Sequence, residues 1–399
     1  MRIAILNHYA SIPEFGSSET RHFEFAKRFV KDGHSVDIYV GDYSHLNSER
    51  WSKRFNHTFE KDGVRFIAVR TRTYRGNGLD RFLASYDYFR NGKKLIAKEN
   101  YDVVVASSPH PFAWSLGWWY VKKRDSAKFF IEIRDVWPDD LVSLGSMKYS
   151  HPVAKIFDFM CKSYYPKATG IITLMPDLSD HFERIGKKPK RVVYIPNGTD
   201  TESFLNPVAC TKVDEIFSTL PNKKIVVYAG SIVSHNGIKE FLELLNEVDE
   251  SLRNSFVFLF IGPSQRDYLS QMKTLAPKNV FFFEPIPKSC VPYLFKKADL
   301  LLFTLSETGM KDPAVSSYKV LDYMASTKPV LSVDIEGLAF KQTGGAIFYK
   351  NGCAETLQSA LEKILNTELT TLGEKNREFV LERSWDRLYE GLKSFLMHD

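Results

Sequence analysis

The stretch Val315–Val333, VSSYKVLDYMASTKPVLSV, reads as a serine-capped helix start, a short helix and a proline-terminated return into a buried strand. Ser316 and Ser317 can cap orphan N–H groups, the remaining donors and the positive helix end can face an anion, and Lys319 adds a mobile charge. Asp322 follows about one and a half turns later, opposite Val320 and Met324, where a carboxylate accepts from ribose hydroxyls. Taken alone, these residues fit a plain buried helix equally well. Their place near the end of a long α/β pattern favours a diphosphate site.

That pattern runs the length of the chain. Short β-rich runs at residues 3–6, 36–40, 64–69, 103–106, 129–133, 170–174 and 192–195 alternate with helical segments, and a second series follows at 225–229, 256–261, 280–283, 300–303, 330–333 and 346–349. Alternation of this kind builds parallel sheets from βαβ units. The break falls after the turn cluster Pro196-Asn197-Gly198-Thr199-Asp200, in the poorly periodic stretch from Thr201 to Pro221. The expected domains are 1–200 and 201–375. Residues 376–399 supply a terminal helix, apolar around Trp385, that packs back toward the first domain.

A chain of 399 residues with 44% apolar content suits two such domains. No apolar run reaches membrane-spanning length and no signal-like segment opens the chain, so a cytoplasmic protein is expected. Cys161, Cys210, Cys290 and Cys353 show no metal-ligand spacing and read as reduced thiols, with no metal site. Charge is uneven: residues 1–200 carry 32 Lys and Arg against 23 Asp and Glu, whereas residues 201–399 carry 22 against 25. The excess gathers between Arg65 and Lys98, where Arg70, Arg72, Arg75, Arg81, Arg90, Lys93 and Lys94 alternate with aromatic and aliphatic residues. A cationic amphipathic helix from Leu79 onward fits a peripheral contact with anionic lipid at the inner face of the cytoplasmic membrane; a solvated helix face is the simpler alternative. Nucleic acid is disfavoured, since no binding motif accompanies the patch.

Ligands of doubly wound sheets bind beyond the strand carboxyl ends, which directs attention to five turns. Asn7–Ser18 carries His8, Gly16 and Ser17 but no GxGxxG fingerprint, which argues against a dinucleotide-dependent dehydrogenase. Ser107–Pro111 holds His110 between prolines, poorly placed for a core, which fits a ligand-facing residue, with a bystander as the alternative. Glu132–Asp139 puts Arg134 and Asp135 at a strand mouth, where they need each other or a ligand. Ala229-Gly230-Ser231 and Ile261-Gly262-Pro263 are tight turns that let backbone approach a nucleotide.

With EIRDVWPDDLVSLG (Glu132–Gly145), IPNGTD (Ile195–Asp200), VYAGSI (Val227–Ile232), the ADLLLF run around Asp299 and SSYKVLDYMASTKPVLSV in this order, the chain resembles the GT4-type glycosyltransferases of bacterial surface polysaccharide (O-antigen or capsule) biosynthesis. The resemblance implies the GT-B fold, two Rossmann-like doubly wound domains facing a cleft. It also implies a retaining, metal-independent transferase without cofactor. The nucleotide diphosphate sugar would be held mainly by the C-terminal domain, and a saccharide acceptor, lipid-linked, by the N-terminal one. By position, Ser316, Ser317, Tyr318 and Lys319 would bind the diphosphate and Asp322 the ribose. Pro285, Ile286 and the residues up to Lys288 would border the nucleobase, and Gly16, Ser17, Gly230, Ser231 and Gly262 would lie by the donor. His110, Arg134 and Asp135 would face the transferred sugar or the acceptor.

The chain also departs from the family pattern. Ala314 stands where a glutamate is usual, with Asp312 or Glu307 as substitutes, and Asp322 is the shorter of two acids. Arg and Lys usual after Gly230 are absent, leaving Lys239 to substitute, and Thr327 replaces a glycine. These losses keep a rival open: a weakly active or inactive homologue serving as an accessory or binding subunit. A nucleotide-sugar 2-epimerase lacks its carboxylate constellation here.

Overall fold

The computed structural model describes residues 1–13, 21–44, 49–51, 57–74, 76, 78–143, 145–306 and 318–398. The chain forms two units, Met1–Pro196 with Leu388–Asp399, and Asn197–Arg387. Among the described residues no helix is long and apolar enough to cross a membrane.

In the first unit the strands are β1 (Arg2–Leu6), β2 (Ser35–Gly41), the short pair β3 (Tyr43–Ser44) and β4 (Glu49–Arg50), β5 (Thr58–Lys61), β6 (Val64–Val69), β7 (Val103–Ser107), β8 (Lys128–Ile133), β9 (Gly170–Thr173) and β10 (Val192–Tyr194). Eight of these described strands make one sheet in the order β10-β9-β8-β7-β1-β2-β6-β5. Ile3 pairs with Val36 on one side and Val103 on the other, both in parallel. From β1 the chain winds outward through β2 and β6, then crosses back to β7 and winds the opposite way. The order therefore reverses between β1 and β7, the kind of switch point at which open α/β sheets bind ligands.

Three strands of this unit, β3, β4 and β5, were not read from the sequence. β5 pairs antiparallel with β6 across Asp62-Gly63, whose φ angles of 49° and 72° make the two-residue turn that matches hairpin twist.

The second unit holds β11 (Lys224–Ala229), β12 (Phe256–Ile261), β13 (Val280–Phe283), β14 (Leu300–Phe303), β15 (Val330–Val333) and β16 (Ala346–Tyr349), ordered β13-β12-β11-β14-β15-β16 and wholly parallel. Every residue of β12, FVFLFI, is buried, as expected for a central strand covered by helices on both faces. Here the order reverses between β11 and β14. Phe241, Phe258, Leu301, Tyr323 and Leu357, all at 0% exposure, join sheet and flanking helices into one core.

Several expectations are corrected. The stretch after Asp200 is not irregular: Asp200 caps helix Thr201–Leu205, accepting from the Ser203 N–H at 3.3 Å, and helix Thr211–Ser218 follows. Cys210 and Cys290 are not free thiols but a disulfide, joining the start of that second helix to the turn Lys288–Cys290 across 80 residues. The terminal segment is two helices, Thr370–Leu381 and Trp385–Met397, because Arg383 C=O and Trp385 N–H bond to Thr199 rather than along a helix. The end of the last helix belongs to the first unit, where Tyr389 donates to Asp32 at 2.7 Å and Phe395 meets Phe130. Finally, the cationic patch is thinner than its composition suggests. Arg65 binds Asp37 and Glu99, Arg72 binds Asp87, and Arg81 turns to Tyr9.

Candidate functional site

In the second unit the switch point between β11 and β14 is built by three segments. Strand β11 ends in Gly230-Ser231, strand β12 in Gly262, and the two turns touch: Gly230 N–H donates to Ile261 C=O at 3.0 Å and Ile232 N–H to Pro263 C=O at 2.8 Å. A Cβ on Gly262 would stand 1.9 Å from the Gly230 oxygen, so only glycine permits this approach. Ser231 C=O accepts from Tyr228 OH at 2.9 Å and Asn236 Nδ2 at 2.6 Å, while Thr304, just past β14, donates to Asn236 C=O at 2.6 Å.

Helix Tyr318–Ala325 brings Lys319 onto this turn. Its ammonium donates to Tyr228 OH at 3.0 Å and lies 4.5 Å from the centre of that ring, and a Cβ on Gly230 would meet its Cε at 2.9 Å. Lys319 is only partly covered in accessible area, yet its charged end rests on aromatic rings, and this burial lowers its pKa to about 7. On the same helix Asp322 accepts from Thr199 Oγ1 at 2.6 Å. Burial raises the Asp322 pKa, opposed by the Lys288 charge and the Thr199 bond. Tyr318 donates to Asn197 Oδ1 at 3.2 Å.

Other donor-side candidates lie elsewhere or outside view. Lys239 pairs with Glu243 along its own exposed helix face at 3.4 Å. Pro285 C=O accepts from Lys212 Nζ at 3.0 Å, and Ile286 packs partly buried against the core. Gly16, Ser17, Ser316 and Ser317 fall outside the described residues, as do Glu307, Asp312 and Ala314.

In the first unit His8 and His110 follow β1 and β7 at its switch point. His110 is 3% exposed, so its setting is more enclosed than its flanking prolines suggest. His8 Nδ1 and His110 Nε2 share a hydrogen bond of 2.8 Å, and His8 is stacked between Tyr9 and Tyr88. A Cβ on Gly41 would fall 2.3 Å from the His8 ring, which fixes glycine there. Burial, reinforced by the Arg81 charge, lowers the His110 pKa to about 3. Arg134 and Asp135 follow β8, and Ser108 Oγ accepts from both backbone N–H groups, at 2.8 and 3.1 Å. Asp135 reaches solvent, but the surrounding protein still raises its pKa against the Arg134 and Arg81 charges.

Beneath them lies a buried network. Glu132 accepts from Arg21 Nε at 2.8 Å, His22 Nε2 at 2.6 Å and Ser107 Oγ at 2.7 Å, and Arg21 also donates to the carbonyls of Ile195 and Pro196. Burial would raise this carboxyl, but its His22 and Arg21 partners hold it well below the ordinary range. Sequence reasoning did not assign Tyr228, Thr199, Arg21, His22 or Glu132 to the site. A buried charge at a strand end was the available signal for Glu132; the others carry none, because their partners are distant in sequence.

Comparison with known proteins agrees with this architecture. Residues 18–203 match the family model described as Glycosyltransferase Family 4, and residues 212–380 the model for Glycosyl transferases group 1. A curated relative, "Probable glycosyltransferase WbjE" of Pseudomonas aeruginosa, is 23% identical over 337 residues, 81% of each chain. WaaG, a glycosyltransferase involved in lipopolysaccharide biosynthesis, superposes with a TM-score of 0.71 over the whole of both chains at 16% identity. HepE of Anabaena, solved in complex with UDP-glucose, gives a TM-score of 0.68 over 99% of both chains at 12% identity. With both halves matched by glycosyltransferase models and two Rossmann-like, predominantly parallel sheets in succession, the chain belongs to the GT4-type glycosyltransferases of the GT-B fold.

Proposed function

We propose that this glycosyltransferase moves a sugar, with retention of configuration, from a nucleoside diphosphate held by the second unit to a saccharide acceptor held by the first. The observation that carries this reading is the seat of Lys319, a lysine drawn onto the Gly230-Ser231 turn at a sheet switch point and shifted to titrate at about 7. A partly desolvated cation beside glycine turns suits a diphosphate, and Asp322 one turn further along suits ribose hydroxyls. The UDP-glucose complex of HepE supports a UDP-sugar as first choice of donor. We assign charge neutralisation of the leaving diphosphate to Lys319 and the adjoining helix start rather than to a metal ion.

In this mechanism the departing diphosphate takes the acceptor's proton on the face of attack, and the protein contributes position and electrostatic stabilisation. His110, neutral at physiological pH, and the Arg134–Asp135 segment held by Ser108 would orient the sugar and acceptor. WaaG, by its part in lipopolysaccharide biosynthesis, supports a role in surface polysaccharide biosynthesis, to which this reading adds a lipid-linked acceptor. Membrane contact is supported by lysines lying over tryptophans, Lys93 and Lys123 over Trp119 and Lys167 over Trp118, and by the exposed Phe159.

The test is a thermal-shift screen of the whole chain against UDP, GDP, dTDP, CDP and their sugar conjugates, with and without EDTA. Stabilisation by one nucleotide series, unaffected by EDTA, is expected. Silence across the panel favours the accessory-subunit reading, with which Lys239 paired to Glu243 also agrees.

A further inference from the structure

Helix Tyr318–Ala325, which carries Lys319, is fastened on a neighbouring face to the segment Asn197–Thr199. Tyr318 OH donates to Asn197 Oδ1 at 3.2 Å, and one turn later Asp322 accepts from Thr199 Oγ1 at 2.6 Å. Residues i and i+4 of a helix lie about 6 Å apart along its axis, a span that two residues of extended chain just cover. The two bonds therefore fall in step. Thr199 is 2% exposed and its own backbone is tied at both ends, its N–H donating to Arg383 C=O at 3.0 Å and its C=O accepting from Trp385 N–H at 3.3 Å. Its hydroxyl thus reaches Asp322 from a fixed frame, on a β-branched side chain with a single stiff torsion.

A hydroxyl has one proton to donate, and here it goes to Asp322 Oδ1. Among the described residues no hydrogen bond reaches the other oxygen, Oδ2. Asp322 is half-buried, and the charges that act on it are those of Lys288 and of Asp200, whose carboxylate is turned to Ser203 on its own helix. A carboxylate held by one oxygen keeps the other aimed, which spares a ligand the cost of ordering it. We propose that Thr199 is the positioning residue that fixes Asp322 so that Oδ2 accepts from a hydroxyl of the nucleotide ribose, and that this bond sets the preference of the donor site for ribose over deoxyribose. The inference rests on Asp322 meeting the ribose, as argued above.

The experiment measures, by calorimetry on the whole chain, binding of the nucleoside diphosphate that stabilises it, UDP first, and of its 2′-deoxy and 3′-deoxy analogues. The native protein should bind the ribonucleotide about ten times more tightly than at least one analogue. Thr199→Val keeps the shape and the backbone bonds but has no hydroxyl, and should bring that ratio towards one while the affinity for the analogue stays as it was. Thr199→Ser should restore the ratio and Asp322→Asn should abolish it; Thr199→Ala gives the same comparison where valine does not fold. Equal weakening of all three nucleotides in Thr199→Val makes the threonine a structural support and overturns the proposal. So does a ratio that survives in Thr199→Val but is lost in Asp322→Asn, or a native protein that does not distinguish ribose from either analogue. A second readout needs no nucleotide: followed by NMR, the Asp322 carboxyl should titrate higher in Thr199→Val, because the bond that steadies its charged form is gone. Silence of every nucleotide counts against the transferase reading instead, and an unmoved carboxyl titration then shows that Thr199 does not govern Asp322.

Discussion

The Lys319 ammonium donates to the Tyr228 hydroxyl at 3.0 Å, and that hydroxyl in turn donates to Ser231 C=O at 2.9 Å. Helix start and glycine turn are thereby tied through one phenol. Burial holds Lys319 near 7 in the free protein, against 10.5 unperturbed. Between those values the unfolded chain holds one more proton than the folded one, so the free protein gains stability as pH rises through this window. A bound diphosphate restores the charge. Affinity for a nucleotide sugar, whose diphosphate does not titrate here, should fall as pH rises above 7. Calorimetry in buffers of different ionisation enthalpy should show proton uptake at pH 8 to 9. Binding without pH dependence separates Lys319 from the diphosphate.

Removing the charge has a separate signature. Lys319→Ala should weaken nucleotide-sugar binding by about 1–3 kcal/mol with the fold intact, since the lysine is only partly covered. Asp322→Ala should lower affinity for a ribonucleotide more than for its 2′-deoxy analogue. Titrations with both nucleotides check this, and an equal loss for the pair removes the ribose contact.

Glu132 carries a structural prediction. Glu132→Gln leaves the Arg21 guanidinium, 0% exposed, without its carboxylate, and breaking a buried pair from one side costs about 3–5 kcal/mol. Because the folded-state pKa is depressed, the carboxylate's stabilisation is complete above the unfolded value near 4.5 and is lost as pH falls through the folded value. Chemical denaturation at pH 7 should show the full loss in the variant, with the gap to the native protein closing in acid.

Thr327 follows helix Tyr318–Ala325 with φ at 53°, its N–H bonded back to Met324 C=O at 3.2 Å. A β-branched residue is disfavoured in this left-handed position and glycine is at ease there. Thr327→Gly should therefore stabilise the protein by about 1 kcal/mol, read as a higher midpoint in urea. A lower midpoint means that the threonine side chain contributes more than its backbone strain removes.

Much of the fold was legible because buried parallel strands are continuous Val, Ile and Phe runs, as in Val103–Ser107 and Phe256–Ile261, and need no knowledge of their neighbours. The hairpin at Asp62-Gly63 was not read, because Thr58–Lys61 lies at the sheet edge with alternating exposure and lacks an apolar run. Lys319 and Asp322 could be nominated from helical spacing alone. Their environment could not, since Tyr228 lies 91 residues from Lys319 and Thr199 lies 123 from Asp322.

By itself the sequence determined what depends on near neighbours: the order of strands and helices, the glycine turns after β11 and β12, and the helix that presents Lys319. Only the tertiary structure decided what depends on distant partners. It paired Cys210 with Cys290, buried His110 against His8, and turned Arg81 from an outward helix face to Tyr9. The physical reason is that hydrophobic periodicity sets local conformation within a few residues, whereas the cost of burying a charge or polar group is met only by partners that the completed fold brings within 3 Å.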